Sequence, residues 1–141
     1  MIQKKIGFMQ GRLSEIVNNK IQCFPWENWE NEFVEASKIN LNLMEWTLDY
    51  EKIFSNPILT DKGQKKIKNL KENFNLEIVS VTGDCFMQKP FWKFSDNGKI
   101  KLENEFKKII DTLKYMDIKI IVVPLVDNGS IKNNDQFKKL C

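Results

Sequence analysis

The stretch "EIVSVTGD", residues 77–84, combines a run of β-branched residues with an abrupt polar ending. Val79, Val81 and Thr82 favour an extended backbone, so residues 77–82 are predicted to form a β-strand. Gly83 and Asp84 then break the run. Three other segments show a similar apolar run that ends in polar residues, at 5–9, 43–47 and 118–126. The sequence therefore predicts four strands.

Helical periodicity separates these predicted strands. Apolar residues recur there at spacings of three, four and seven, as on the buried face of an amphipathic helix. The predicted stripes are Trp29/Phe33/Ala36, Ile67/Leu70/Phe74 behind a cap at Thr60, and Leu102/Phe106/Ile109/Ile110/Leu113 after a loop that contains Pro90, Asp96, Asn97 and Gly98. A further helix is predicted to begin near Asn133.

The spacing of the strands predicts a parallel sheet. They begin near residues 5, 43, 77 and 118, so each β-plus-α unit takes roughly 35 to 40 residues, as βαβ crossovers do. An open doubly wound sheet and part of a (β/α)8 barrel both fit this pattern. A complete barrel takes about 250 residues, so four units in 141 residues would form half of one.

The last predicted unit has two notable features. The segment 118–126 is almost continuously apolar, which is typical of a strand covered on both faces. The helical pattern after it stops at Cys141 with no strand following. We therefore expect an α/β chain interrupted in its fourth helix.

Composition excludes several function classes. The 22 Lys and Arg nearly balance the 19 Asp and Glu, and Arg12 is the only arginine, which disfavours a nucleic-acid-binding face. The chain has no histidine, so a Ser/His/Asp or Cys/His mechanism within it is excluded. Glycine-rich nucleotide-binding motifs, HExxH and CxxC are also absent from the sequence.

The cysteines and the first residues bear on localisation. Cys23, Cys85 and Cys141 are odd in number and widely spaced, which favours free thiols in a reducing compartment. Met1 leads directly into a predicted strand without the apolar region of a signal peptide. No apolar run is long enough to span a membrane. A cytoplasmic protein without membrane contact is expected.

Polar residues follow each predicted strand, and the carboxyl ends of parallel strands are where α/β enzymes place their chemistry. Gln10 and Arg12 follow the first strand around Gly11, which allows a positive φ or a close approach to a ligand. Together they could bind hydroxyl, carboxylate or phosphate groups. Alternatively, Arg12 forms an ion pair with a loop carboxylate.

The other strand ends carry four more candidates. Glu45 interrupts the second strand, and a buried carboxylate needs partners. It either faces inward toward sugar hydroxyls or Arg12, or lies at an edge facing water. Asp84 either binds a polyol or caps the loop. Asp127 and Asn128 either contribute to the same rim or, with Gly129, form a simple turn.

Six segments in order resemble a known family: "IGFMQGRLS", "IQCFPWENWENEF", "LNLMEWTLD", "NPILTDKG", "SVTGDCFMQKPF" and "IIVVPLVDNGS". Together they are similar to the N-terminal half of sugar phosphate isomerases and epimerases of the xylose isomerase-like TIM-barrel superfamily. The resemblance implies a barrel rather than a doubly wound sheet. It also implies a divalent metal (Mn, Mg, Co or Zn) held by Glu, Asp, His and Glu, all in the half that the match does not cover.

The resemblance implies a substrate-binding role for six residues of this chain: Gln10, Arg12, Glu45, Asp84, Asp127 and Asn128. It implies no catalytic residue and no metal ligand here. The expected function is therefore that of an N-terminal fragment of a metal-dependent sugar or sugar phosphate isomerase or epimerase, inactive alone.

Two alternatives remain. Four parallel strands would leave two exposed sheet edges, so the chain could instead be a non-catalytic half-barrel that acts as a homo-oligomeric binding module. A DNA-repair barrel of the endonuclease IV type is disfavoured by the near-neutral charge and the missing histidines.

Overall fold

A four-stranded parallel sheet forms the centre of the protein. The structure, a computed structural model, describes residues 6–16 and 23–141. The strands are β1 (Gly7–Met9), β2 (Leu43–Thr47), β3 (Glu77–Thr82) and β4 (Ile120–Val122), and they are hydrogen-bonded in the order β1-β2-β3-β4. All three pairings are parallel, which confirms the predicted α/β class. This order contains no reversal, so these strands lack the switch point of a doubly wound sheet.

The described residues form five α-helices: α1 (Asn31–Lys38), α2 (Asp61–Phe74), α3 (Asp84–Gln88), α4 (Asp96–Tyr115) and α5 (Asn134–Leu140). Two predicted starts are confirmed by side-chain caps. The Thr60 hydroxyl accepts a hydrogen bond from the Gly63 amide at 3.2 Å, and the Asn133 side chain accepts one from the Gln136 amide at 2.9 Å. Each cap satisfies a backbone donor that the first helical turn leaves free.

One face of the sheet is packed against the helices. Met44, Trp46 and Val81 point to this face and are fully buried. The helices cover them with apolar stripes that include Phe33, Ala36, Ile67, Ile109 and Leu113. The stripes predicted from periodicity are therefore the core, with one correction: Ile110 is exposed, because the next residue of a helix is rotated by about 100° from Ile109.

The opposite face of the sheet is exposed at β4. At β4, Ile120 is 57% exposed and Val122 is 42% exposed. The prediction that the fourth strand is covered on both faces was wrong for these residues. The strand is also short, because pairing with β3 involves only residues 120–122 of the apolar run 118–126.

The segment between β3 and α4 differs from the predicted loop. Residues 84–88 form α3, and α4 begins at Asp96 rather than after Gly98. The short helix forms because Phe86 is buried against Phe106 of α4, with ring centroids 4.3 Å apart. The Cys85 amide also donates to the Leu48 carbonyl at 2.8 Å.

A buried asparagine fixes the carboxyl end of β2. Asn56, in the predicted turn before Pro57, is 1% exposed. Its side-chain oxygen accepts hydrogen bonds from the Trp46 indole at 3.0 Å and from the Ile58 amide at 3.2 Å. Its side-chain nitrogen donates to the Thr47 carbonyl at 3.3 Å. One side chain thus joins β2 to the turn that precedes α2.

Candidate functional site

The register of the sheet brings polar side chains into rows on the face opposite the helices. Glu45 pairs with Ser80 and Thr47 pairs with Thr82, so all four residues share this face near the carboxyl ends of the strands. An irregularity between Met44 and Glu45 shifts the register by one residue. Without that shift, Ser80 and Thr82 would point away from Glu45.

Glu45 accepts hydrogen bonds from two hydroxyl groups of β3. Ser80 Oγ lies 2.6 Å from one carboxylate oxygen, and Thr82 Oγ1 donates to the other. The carboxylate is half-buried. Its partners therefore include neighbouring hydroxyls rather than bulk water alone. The inward position predicted for Glu45 is compatible with this placement, and its ligand stays a prediction.

Gln10 extends the site to β1. The Gln10 backbone amide donates to the Glu45 carbonyl at 2.9 Å, and the Gln10 side-chain Oε1 accepts from the Thr47 backbone amide at 3.0 Å. Because a backbone amide can only donate, the side-chain oxygen must face Thr47. Gln10 Nε2 is buried and has no hydrogen-bond partner in the described structure. It is an unsatisfied donor at the carboxyl edge of the sheet, where a ligand or water oxygen would satisfy it.

Arg12 lies in the loop that follows Gln10, and its side chain is exposed. Gly11 has a φ of +90°, so the positive-φ alternative expected for this glycine is confirmed. A Cβ at this position would lie 2.7 Å from the Cys23 carbonyl oxygen. The glycine is therefore needed for two reasons, its backbone conformation and the close approach of another backbone segment.

Glu32 is a polar residue of this region that the sequence analysis missed. It lies on α1, is fully buried, and accepts hydrogen bonds from the Gly11 and Leu13 amides. Burial raises the pKa of its carboxyl above the ordinary value of 4.5, and the hydrogen bonds from Gly11 and Leu13 partly offset this effect. A signal was present: Glu32 falls within the apolar stripe of Trp29, Phe33 and Ala36 at helical spacing.

Asp84 follows β3 as the first residue of α3 and is buried. A neighbouring carboxylate, Asp49, follows β2 and accepts hydrogen bonds from the Phe24 amide and from Gln88 Nε2, both at 2.8 Å. Asp49 therefore holds the segment before α1 and the end of α3 together. Its role had not been predicted.

Asp127 and Asn128 lie in a turn of 3₁₀-helix over Asp127–Gly129, and both are exposed. Asp127 adopts a φ of +46°, a conformation that aspartate tolerates better than most residues. Asn128 Nδ2 donates to the Met87 carbonyl at 3.3 Å and to the Gln88 carbonyl at 3.2 Å. The asparagine therefore links the loop after β4 to the end of α3.

The six predicted residues are thus not equally close together. Gln10 and Glu45 are directly hydrogen-bonded through their backbones, and Asp84 follows Thr82, which donates to Glu45. Asp127 and Asn128 lie beside the far end of α3, whereas Arg12 lies in the outer loop after β1. The geometry concentrates hydrogen-bonding capacity around Gln10, Glu45 and Thr82.

Two depressions of the described surface lie away from this edge. A groove of about 1120 Å³ lies between α2 and α4 and includes Glu77, at the amino end of β3. A second, of about 390 Å³, lies between residues 13–15 and α1. Neither depression includes Gln10, Glu45 or Thr82. At the carboxyl edge Gln10, Thr47 and Thr82 are buried, whereas Glu45 is half-buried.

Cys85, beside Asp84, is not a reactive thiol, and the described residues contain no metal-ligand cluster. Burial raises the pKa of the Cys85 thiol to about 12, so the thiol stays protonated near neutral pH. Within residues 6–16 and 23–141, no three His, Cys, Asp or Glu side chains are grouped to hold a metal ion. The arrangement can bind polar groups, but it does not assemble the ligand set that the family resemblance implies.

Comparisons of the chain with protein-family models, with curated proteins and with solved structures each find no match. None of the helices in the described residues is long and apolar enough to cross a membrane.

Proposed function

We propose that this chain forms the substrate-binding, N-terminal half of a metal-dependent isomerase or epimerase that acts on sugars or sugar phosphates in a TIM barrel. One observation carries the proposal: four parallel strands in unreversed order present a row of hydroxyl and carboxylate groups at their carboxyl edge. TIM-barrel enzymes bind their substrates at this edge. The resemblance of the six sequence segments points in the same direction.

The side chains at this edge suit a polyol ligand. Sugar hydroxyls donate and accept hydrogen bonds, so they need both kinds of partner. Glu45 supplies acceptor sites, and Gln10 Nε2 supplies a buried donor that has no partner in the described structure. Arg12, the only arginine, would bind the phosphate of a phosphorylated substrate. Asp84, Asp127 and Asn128 would extend the same rim.

The proposed contribution of these residues is binding and orientation, not proton transfer. The divalent metal implied by the family would supply polarisation of the sugar oxygens when bound, but the described residues do not provide its ligands. We therefore expect the chain alone to show no isomerase or epimerase turnover with Mn²⁺ or Mg²⁺. Turnover by the purified chain would contradict this proposal.

A binding experiment tests the proposal directly. We would titrate the ¹⁵N-labelled chain with D-fructose 6-phosphate and with D-fructose and follow the amide signals of Gln10, Glu45 and Thr47. These signals are expected to shift, and Glu45→Gln should weaken binding about tenfold, since a hydrogen bond to a charged group contributes about 1.5–3 kcal/mol. Glu51→Gln is the matched control, because Glu51 is exposed beyond the end of β2.

The result that would refute the proposal is equally specific. If neither sugar shifts these three amides at millimolar concentration, or if both glutamate variants bind like the wild type, the carboxyl edge is not a sugar site.

A second candidate function is a non-catalytic, homo-oligomeric binding module. The observation in its favour is the exposed edge strand β4, where Ile120 and Val122 face solvent. It predicts a monodisperse dimer by size-exclusion chromatography with light scattering, and Ile120→Lys should dissociate it. Ile110→Lys, at an exposed position of α4, is the control. A monomer at all concentrations would exclude this alternative.

A further inference from the structure

We propose that Glu32 is a positioning residue that sets the conformation of the loop at residues 10–14 and thereby holds Arg12 at the carboxyl edge of the sheet. The inference rests on the proposed function in one respect, namely that Arg12 contacts the ligand. The fixing of the loop by Glu32 stands on the geometry alone.

Glu32 contacts mainly the backbone of the loop, and the Ser14 side chain also lies beside the same carboxylate. The Gly11 amide lies 2.9 Å from each carboxylate oxygen, and the Leu13 amide lies 3.0 Å from Oε1. These residues are 21 and 19 positions away in the chain. The carboxylate therefore satisfies donors that the loop, which lies outside the sheet, cannot pair within regular secondary structure.

Arg12 lies between the two anchored amides. Gly11 precedes it and Leu13 follows it, so its backbone is fixed on both sides. A third bond, from the Arg12 amide to the Met9 carbonyl at 3.2 Å, closes the turn onto β1. The backbone from which the guanidinium extends is therefore fixed by an anchor on another element as well as by the loop itself.

The anchor is rigid because of where α1 packs. Phe33, the next residue, and Ala36, one turn later, are both fully buried in the core. The carboxylate of Glu32 is thus held on a helix face that cannot move without disturbing the core. This arrangement is typical of a supporting residue that orients a binding side chain without contacting the ligand.

The chemistry requires an acceptor-only group at position 32. A carboxylate presents oxygen to both sides, whereas the amide of glutamine would place an NH₂ donor against the Gly11 amide. Glu32→Gln should therefore weaken the anchor in part, and Glu32→Ala should remove it. Glu35→Ala is the matched control, because Glu35 lies on the same helix but is paired with Lys38 at the surface.

The test uses the full chain and two readouts that need no ligand. Hydrogen exchange at the Gly11 and Leu13 amides reports the anchor, and the single Arg12 Nε–H signal reports the guanidinium. We expect Glu32→Ala to lose protection at both amides and to shift the Arg12 signal toward its position in an unfolded chain. Glu32→Gln should give protection and an Arg12 signal intermediate between those of the wild type and Glu32→Ala. Glu35→Ala should leave both readouts unchanged, and the amides of α4 should keep their protection in every variant. If Glu32→Ala unfolds the chain, the decision rests on Glu32→Gln.

The third readout is binding, and it separates this inference from the proposed function. Glu32→Ala should weaken the binding of D-fructose 6-phosphate about tenfold. The binding of D-fructose should hardly change, because only the phosphate group contacts Arg12. Unchanged protection at Gly11 and Leu13, or a loosened loop with an unmoved Arg12 signal, would overturn the inference. If the wild type binds neither sugar, the proposed function fails, and the exchange and Arg12 signals still decide whether Glu32 positions the loop.

Discussion

Asn56→Ala is expected to be one of the most damaging substitutions outside the apolar core. Asn56 is almost fully buried and makes three hydrogen bonds, to the Trp46 indole, the Ile58 amide and the Thr47 carbonyl. Alanine would leave all three groups without this partner in a region that water cannot reach. The effect should extend to the candidate site, because Trp46 and Thr47 flank the end of β2 beside Glu45.

The magnitude follows from those three bonds. Leaving one buried donor or acceptor unsatisfied costs about 1–3 kcal/mol. Taking the lower value for each, Asn56→Ala should reduce the free energy of unfolding by about 3 kcal/mol, a large part of the 5–15 kcal/mol typical of a domain. With a urea dependence of about 2 kcal/mol per molar, the midpoint should fall by about 1.5 M.

Urea unfolding followed by circular dichroism measures this change. Asn73→Ala serves as the control, because Asn73 is exposed on α2 and its removal should change stability by less than about 0.5 kcal/mol. A double-mutant cycle with Trp46→Phe isolates the indole bond and should give a coupling of about 1 kcal/mol. A loss below about 1 kcal/mol for Asn56→Ala, similar to that for Asn73→Ala, would refute the assignment of Asn56 as a buried anchor.

Three further predictions concern the loop after β1 and the buried thiol. Folding raises the pKa of Glu32, so the folded state holds the proton of this carboxyl more tightly than the unfolded state does. The free energy of unfolding should therefore fall as pH rises from about 4.5 through the folded-state pKa. Glu32→Gln should flatten this part of a pH series of urea midpoints. Gly11→Ala should destabilise the chain by at least about 1 kcal/mol in urea unfolding, given the φ of +90° and the 2.7 Å approach to the Cys23 carbonyl oxygen; an unchanged midpoint would contradict this. The buried Cys85 thiol, with a pKa of about 12, should resist iodoacetamide at pH 8 in the native protein and react in urea. The exposed Cys141 should react under both conditions. Mass spectrometry of the labelled peptides measures both reactions.

Local sequence patterns were sufficient for much of the architecture. The bounds predicted for the second and third strands, residues 43–47 and 77–82, are those that the structure shows. The Thr60 cap was likewise predictable. Each of these features depends on groups only a few residues apart, such as a hydroxyl and the amide three positions later. Their physical causes therefore lie within the segment itself.

Other features depended on partners far away in the chain. The 118–126 run has the composition of a long buried strand, but only three residues pair with β3, and Ile120 and Val122 remain exposed. Whether Ile109 or Ile110 faces the core was decided by how α4 docks on the sheet. The helix at residues 84–88 depends on the burial of Phe86 against Phe106, 20 residues later.

The candidate site divides in the same way. The sequence by itself determined that polar residues follow each strand, because a strand's apolar run must end where its burial ends. Only the tertiary structure decided which of them meet: the register of β2 against β3 directs Ser80 and Thr82 toward Glu45, and the packing of α1 directs Glu32 into the loop around Arg12. Such contacts join residues about 20 to 40 positions apart, so no local preference specifies them. They form because a buried carboxylate must find hydrogen-bond donors, and only the assembled fold determines which donors lie within reach.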